Sequence, residues 1–199
     1  MKKTLAFAIT IISAIILTLV LTSSQLLTNA NVQPLNDLTA KGQILPELTV
    51  DPADDMEALE EDFTRNLTDY AAGFLGRRYV WGATGPKQFD CSGFTSYVFR
   101  NSGIKLHRTS RAQWTQGEKV DRKDLKPGDL MFFSSARSGK GRVGHVGIVV
   151  DVNPSDGSLT FIHASTSKGI TYQKFPDGGY YSKRYIGAKR VIDADALRA

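Results

Sequence analysis

The stretch Phe89-Asp90-Cys91-Ser92-Gly93-Phe94 decides how the fold is interpreted, because it holds the one cysteine among 199 residues. Asp90 is a good helix N-cap, and the residues from Ser92 to Phe99 can continue a helix. A thiol in the first helical turn lies at the positive end of the helix dipole, which favours the thiolate. We therefore predict that Cys91 is a nucleophile. A buried apolar filler and an intermolecular disulfide are the alternatives.

The N-terminus has the features of a secretory signal. Two lysines follow Met1, residues 5–21 are apolar apart from Thr and Ser, and small or polar residues follow at positions 22–24 and 28–30. This pattern predicts that residues 1–30 are an export signal. Because the apolar run approaches membrane-spanning length, an uncleaved anchor is the alternative. In an exported protein, a single cysteine cannot form an internal disulfide, which strengthens its interpretation as a reactive group.

Charge divides the rest of the chain unevenly. Ten acidic and two basic residues lie between Asn31 and Asp69, whereas the chain from Tyr70 onward holds 21 Lys and Arg against 10 Asp and Glu. Residues 31–62 are predicted to be an acidic linker or arm, either a solvated tether or a segment that restrains access to the site. The basic remainder suits a polyanionic envelope polymer, with solubility alone as the plain alternative. Since the basic residues are scattered and the chain is exported, we expect no nucleic-acid partner.

The pattern of apolar residues predicts helices first and strands afterwards. Apolar residues between Asp54 and Tyr70 recur at three- and four-residue steps, as in an amphipathic helix, and a short helix is predicted near Thr109. The candidate strands are Leu130–Phe133, His145–Val152, Leu159–Ala164, Gly169–Gln173 and Tyr185–Ile192. Their connections are too short for crossover helices. We therefore predict an α+β domain over residues 63–199, with helices packed on an antiparallel sheet.

Two histidines flank a predicted β-hairpin. His145 begins one strand and His163 ends the next, and the turn Asn153-Pro154-Ser155-Asp156-Gly157 lies between them. Pairing centred on this turn places the two imidazoles opposite each other or two residues from opposite, on one face of the sheet. The hairpin thus predicts a base and an orienting residue to act with Cys91. The same three residues are also candidate ligands of a catalytic zinc, although the usual ligand spacings are missing. His107 is predicted to lie in a surface loop.

Six blocks of sequence connect these residues to a known family. The blocks are Tyr79–Ala83, Phe89–Phe94, Arg108–Gln113, Leu125–Phe133, Gly144–Val149 and Phe161–Ala164. In this order they resemble the NlpC-type cell-wall peptidases, which are papain-like cysteine endopeptidases of bacterial peptidoglycan stem peptides. The resemblance covers residues 67–192. The family usually has Pro before the Arg of the third block, where this chain has His107, and that difference lies outside the chemistry.

The resemblance implies a papain-like fold and a role for each site residue. Cys91, at a helix N-terminus, would be the nucleophile, His145 the general base and His163 the third, orienting residue. Residues implied to line the site or to contact substrate are Tyr79, Asp90, Ser92, Arg108 and Ser110. The bond implied is the γ-linked one between D-glutamate and the diamino acid of the stem peptide. We expect no cofactor and no metal.

Other functions stay open on the same Cys–His core. They are an N-acetylmuramoyl-L-alanine amidase, a lipid acyl-transfer enzyme and an inactive wall-binding module, and the presence of all three site residues argues against the last. We expect a monomer in the periplasm or the extracellular cell wall, with peptidoglycan stem peptides as its partner. A membrane tether is expected only if the signal stays uncleaved.

Overall fold

The computed structural model describes residues 52–193 and Leu197. The predicted export signal, residues 1–30, and the acidic segment up to residue 51 lie outside this described part. Within it, no helix combines the length and the apolar character needed to cross a membrane.

In the part of the chain that the structure describes, three α-helices precede all six strands. They are α1 Pro52–Ala72, α2 Cys91–Asn101 and α3 Ser110–Gln113. Helix α1 buries Leu67 and Ala71 in the core, while most of its acidic side chains face solvent. The chain turns after α1 at Gly76, where φ is +78° and the N–H donates to the carbonyl of Ile170 at 2.9 Å. Glycine suits this position because a side chain disfavours positive φ.

Helix α1 crosses position 62, where the sequence pattern places the boundary between the acidic arm and the domain. In its first half, Glu60 lies 3.5 Å from the Nζ atom of Lys126. In its second half, Thr64 and Leu67 are buried. Residues 52–62 are therefore continuous with a helix that packs on the core. The division of the chain into signal, arm and domain stays a prediction.

One six-stranded antiparallel sheet forms the rest of the fold. Its strands are β1 Glu118–Val120, β2 Leu130–Ser134, β3 Val143–Val152, β4 Leu159–Ser165, β5 Gly169–Phe175 and β6 Tyr185–Arg190. They lie in the order β1-β6-β2-β3-β4-β5, and every neighbouring pair is antiparallel. The predicted antiparallel sheet is confirmed. Strand β1 was not predicted, because it is a three-residue edge strand in which only Val120 is buried.

The strands carry apolar side chains on both faces. In β2, Leu130 and Phe132 pack in a cluster with residues of the helices, whereas Met131 and Phe133 pack in a second cluster. This alternation follows from the two-residue period of a strand. Phe133 is the register partner of His145, the third residue of β3, and the centres of the two rings lie 6.1 Å apart. The sheet thereby places the histidine hairpin next to an aromatic cluster.

Candidate active site

Helix α2 begins at Cys91, as the sequence predicts. Asp90 is its N-cap, and the Asp90 carboxylate accepts a hydrogen bond of 2.6 Å from the Gly93 N–H. Cys91 is 7% exposed, and it lines a cleft of about 490 Å³ together with Tyr79, His145 and His163. The structure therefore brings the predicted nucleophile, base and orienting residue into one cleft.

A charged network holds the start of α2 in place. Arg108 donates to both oxygens of the Asp90 carboxylate, at 2.6 and 3.1 Å, and also to the Ser92 hydroxyl at 3.1 Å. The Gly82 N–H donates to the same carboxylate at 3.0 Å. Such charge-assisted, two-point contacts fix geometry as well as adding stability. Asp90, Ser92 and Arg108 thus lie beside Cys91, but none of them is among the residues that line the cleft.

Gln113 is a buried polar residue that the sequence analysis did not single out. Its side chain bonds the Thr95 hydroxyl at 2.9 Å, the Ser92 carbonyl at 3.1 Å and the His107 carbonyl at 2.8 Å. It therefore joins α2, α3 and the loop before Arg108. In the sequence, Gln113 was recognisable only as an amide side chain three residues after Ser110, the first residue of α3. Ser110 itself is buried and does not line the cleft.

The hairpin aligns the two histidines in one of the two predicted registers. Ile148 pairs with Ile162 and Val149 with Phe161, which places His145 two residues from the position opposite His163. The Nε2 atom of His145 lies 3.0 Å from the Nδ1 atom of His163, and the two rings are nearly perpendicular at 89°. Because Nε2 of His145 is engaged, Nδ1 is the nitrogen left to exchange a proton with a substrate or a thiol.

Tyr181 extends this chain of polar groups. Its hydroxyl lies 3.4 Å from Nε2 of His163, and its ring packs against Phe133 and Phe161. Sequence reasoning missed this residue, because it follows His163 by 18 positions and lies in the connection between β5 and β6. Only the packing of that connection against the sheet brings the hydroxyl to the histidine.

Burial sets the protonation states of the site. Desolvation, followed by the charge of Asp90, raises the pKa of the Cys91 thiol to about 11. Hydrogen bonds from the backbone N–H groups of Ser92 and Val146 act in the opposite direction and lower this pKa. Desolvation lowers the pKa of His145 to about 4, although part of its surface opens on the cleft. It also lowers the pKa of His163 well below the usual range, helped by the charge of His145. At neutral pH the site therefore holds a thiol and two neutral imidazoles.

This neutral state differs from the thiolate that the helix position favours. A helix dipole is worth roughly 0.3–1 kcal/mol at most exposed sites, whereas one pKa unit corresponds to about 1.4 kcal/mol. A rise of the Cys91 pKa from 9.0 to about 11 corresponds to more free energy than the dipole supplies in the opposite direction, so burial favours the thiol. Proton transfer to His145 then has to accompany the attack of the sulfur atom.

We expect the rate at which iodoacetamide alkylates Cys91 to rise about tenfold per pH unit between about pH 7 and pH 9, because only the thiolate reacts. Intact-protein mass spectrometry of the full chain over time measures this rate. A Cys91→Ala variant should gain no mass under the same conditions. A rate that is already high and constant from pH 7 upward would instead indicate a preformed thiolate–imidazolium pair.

The cleft is cationic and has aromatic walls. Trp81 is 67% exposed and lines the cleft, with the Arg137 guanidinium 4.6 Å from its ring centre. Lys168 also lines the cleft, and its charge helps to lower the pKa of His163. Among the cleft residues that the structure describes, none is Asp or Glu. The cleft therefore suits a ligand that carries carboxylates.

The geometry of the described residues does not support the zinc-site alternative. Across residues 52–193, no group of three or more His, Cys, Asp or Glu side chains is arranged as a metal-binding set. Cys91, His145 and His163 share the cleft without forming such a set. His107, the remaining histidine, is exposed.

A comparison with protein families identifies the class of this chain. The model described as the NlpC/P60 family matches residues 76–190, which is more than half of the sequence. The chain therefore belongs to the NlpC/P60 family. The resemblance seen in the six sequence blocks is confirmed.

Two curated relatives show how far the likeness extends. The chain is 44% identical over 117 residues to a protein named probable endopeptidase p60 from Listeria welshimeri, covering 59% of this chain and 20% of that protein. It is 36% identical over 132 residues to one named murein DD-endopeptidase MepS/murein LD-carboxypeptidase from Escherichia coli K12, covering 66% and 64%. The match thus spans a fifth of the first relative and somewhat less than two thirds of the second.

Solved structures support the fold. An NlpC/P60 family protein from Bacillus cereus aligns with a TM-score of 0.57 at 34% identity, covering 65% of this chain and 40% of that one. A protein similar to an NLP/P60 lipoprotein from Staphylococcus aureus aligns with a TM-score of 0.58 at 30% identity, covering 67% and 42%. Together with the observed helices and sheet, these matches confirm the predicted papain-like α+β class.

Proposed function

We propose that this protein is a cysteine endopeptidase that hydrolyses peptidoglycan stem peptides at the γ-D-glutamyl–diamino acid bond. The observation that carries the proposal is one cleft that holds a helix-start thiol and a histidine pair joined at 3.0 Å. Membership of the NlpC/P60 family and relatives named as endopeptidases support the peptidase class. The cationic cleft supports a substrate with free carboxylates, such as the α-carboxylate of γ-linked D-glutamate.

The mechanism follows from the neutral resting state. As the Cys91 sulfur attacks the amide carbonyl carbon, the thiol proton passes to Nδ1 of His145. The backbone N–H of Cys91 and the hydroxyl of Tyr79 are the donors proposed for the oxyanion. Desolvation, followed by the charge of Cys91, raises the pKa of Tyr79, so its hydroxyl keeps its proton and can donate. The imidazolium then protonates the leaving amine.

The second half of the reaction releases the acyl group. Once the amine has left, Cys91 is bound to the D-glutamyl fragment as a thioester. His145 is neutral again, and it accepts a proton from a water molecule that attacks the thioester carbonyl. Collapse of the second tetrahedral intermediate returns the thiol and frees the γ-carboxylate. His163 holds the His145 ring in place through both halves.

A second candidate function is the hydrolysis of D,D-peptide bonds. The relative named murein DD-endopeptidase MepS is matched over 64% of its own length, which favours this candidate. The same Cys91 and His145 chemistry would apply to either bond. The two candidates therefore differ in where the substrate lies in the cleft, not in the reacting groups.

We expect purified muropeptides incubated with the full-length protein to yield a disaccharide that retains L-alanine and D-glutamate, plus a free peptide that begins with the diamino acid. Chromatography with mass spectrometry resolves these products. Conversion of cross-linked dimers into intact monomers would identify the D,D-bond instead. The Cys91→Ala protein is the matched control, and identical, uncleaved profiles for both proteins would contradict a peptidase function.

We also propose that the protein acts outside the cytoplasm, in the periplasm or the extracellular cell wall. The support is the pattern of residues 1–30, in which two lysines precede a long apolar run and small residues. Peptidoglycan lies in that compartment, so the proposed substrate and the proposed location agree.

A further inference from the structure

We propose that Tyr181 is a positioning residue for the proposed hydrolysis, and that its hydroxyl selects the tautomer of His163 that lets His145 act as a base. This inference rests on the proposed function of the cleft. It starts from two contacts in series, His145 Nε2 to His163 Nδ1 at 3.0 Å and His163 Nε2 to the Tyr181 hydroxyl at 3.4 Å.

The protons along this chain are fixed by what His145 has to do. To accept the Cys91 proton, Nδ1 of His145 must carry none, so the proton of the neutral ring is on Nε2. That N–H donates to Nδ1 of His163, whose own proton is then on Nε2. The Nε2–H of His163 in turn donates to the oxygen of Tyr181. The opposite arrangement would place a proton on Nδ1 of His145 and block the base.

The same arrangement serves the protonated state. When His145 has taken the thiol proton, its Nε2–H still donates to His163, and His163 still donates to Tyr181. No proton beyond that of Cys91 has to move. The Tyr181 oxygen therefore accepts in both states, and each donor in the chain is polarised by the positive charge on His145.

The surroundings of Tyr181 suit a fixed, uncharged acceptor. Its ring lies between Phe161, at 5.2 Å, and the His163 ring, also at 5.2 Å. Its backbone N–H donates to the Asp177 carboxylate at 3.1 Å, which anchors the connection between β5 and β6. Burial raises the pKa of Tyr181 to about 12, so the hydroxyl stays protonated at neutral pH. His163 is 1% exposed, so bulk water does not replace this partner.

Loss of the hydroxyl should shift the tautomer balance. Without it, a proton on Nε2 of His163 would be buried with no acceptor, which is costly. Moving that proton to Nδ1 would relieve the cost, but His145 would then carry its own proton on Nδ1 and could not act as the base. Tyr181→Phe keeps the ring, and with it the packing against Phe161. It removes only the oxygen.

The test combines kinetics with NMR on the full-length protein. We expect Tyr181→Phe to lower kcat on a soluble stem peptide about tenfold, with KM changed less than twofold, because the ring by which Tyr181 lines the cleft is kept. Two-bond proton–nitrogen correlation spectra should show His163 protonated on Nε2 in the parent protein and a mixture of both tautomers in the variant. Tyr185→Phe is the matched control, since Tyr185 lies in the same aromatic cluster and its ring contacts are with Phe133 and Phe175.

Either readout can overturn the proposal. An unchanged kcat, a tautomer unchanged by the substitution, or a parent spectrum with the proton on Nδ1 of His163 would each contradict it. The parent spectrum decides the question even if the variant fails to fold. It is also independent of the substrate, so a protein that cleaves no stem peptide but shows the Nε2 tautomer would refute the proposed function without refuting the Tyr181–His163 contact.

Discussion

Replacing Cys91 with alanine should abolish hydrolysis of stem peptides, with a loss on the order of 10⁴-fold or more in kcat. No other thiol exists in the chain to take over the attack. Folding should change little, because the substitution removes one sulfur atom at the cleft wall and leaves the Asp90 cap and the Arg108 contacts intact. The measurement is product formation from purified muropeptides, alongside the thermal midpoint of both proteins.

A chelator control separates the nucleophile from a metal ligand. Cys91→Ala would also destroy a zinc site, so loss of activity alone does not distinguish the two roles. Parent enzyme treated exhaustively with a chelator should keep its activity if the sulfur is the nucleophile. Activity that disappears with the chelator and returns with added zinc would favour the three-ligand alternative. An alanine variant that still digests peptidoglycan would contradict both.

The second large effect is expected at His145. Its replacement by alanine removes the group that takes the thiol proton and later protonates the leaving amine, so kcat should fall roughly 10³-fold. Because the base acts in both halves of the reaction, acylation and deacylation should both slow. Turnover of a soluble stem peptide under saturating conditions measures it.

Substitutions of the other two histidines test the assignment of roles. His163→Ala should cost less than His145→Ala, roughly 10- to 100-fold, since a water molecule or a neighbouring dipole can partly replace an orienting group. His107→Ala should behave like the parent protein, because that side chain is exposed and its backbone makes the contacts seen for this residue. A larger loss at His107 than at His145 would contradict the assignment of roles.

Local sequence signals predicted much of the site. An acidic cap before a helix-forming run predicted Cys91 at the start of α2. A turn-rich hairpin with histidines on both strands predicted the imidazoles on one face, opposite or two residues from opposite, and the structure has the second register. Both predictions depend on short stretches of chain, where capping chemistry and strand register act directly. Element boundaries were close for the same reason, with β4 extending one residue beyond its predicted end.

What the sequence could not show depends on packing. Burial of the Cys91 sulfur, which raises the pKa of the thiol, arises from tertiary packing, so the helix position alone does not give the protonation state. Trp81 lies within the first sequence block, but only the folded chain places the Arg137 guanidinium 4.6 Å from its ring centre. Tyr181 and Gln113 were not recognisable as site residues from the sequence. Tyr181 reaches His163 only because the β5–β6 connection packs against the sheet, and Gln113 reaches Ser92 only because α3 packs beside α2.

The path of helix α1 through residue 62 decides how the acidic segment can be studied by truncation. Removing residues 31–62 would delete the first half of that helix and the Glu60–Lys126 ion pair. A change in turnover would then mix lost charge with a frayed, partly uncovered core around Leu67. A shortened chain that starts a few residues before Pro52 keeps the whole helix. Only that shorter deletion separates an effect of the acidic residues ahead of the helix from damage to the fold.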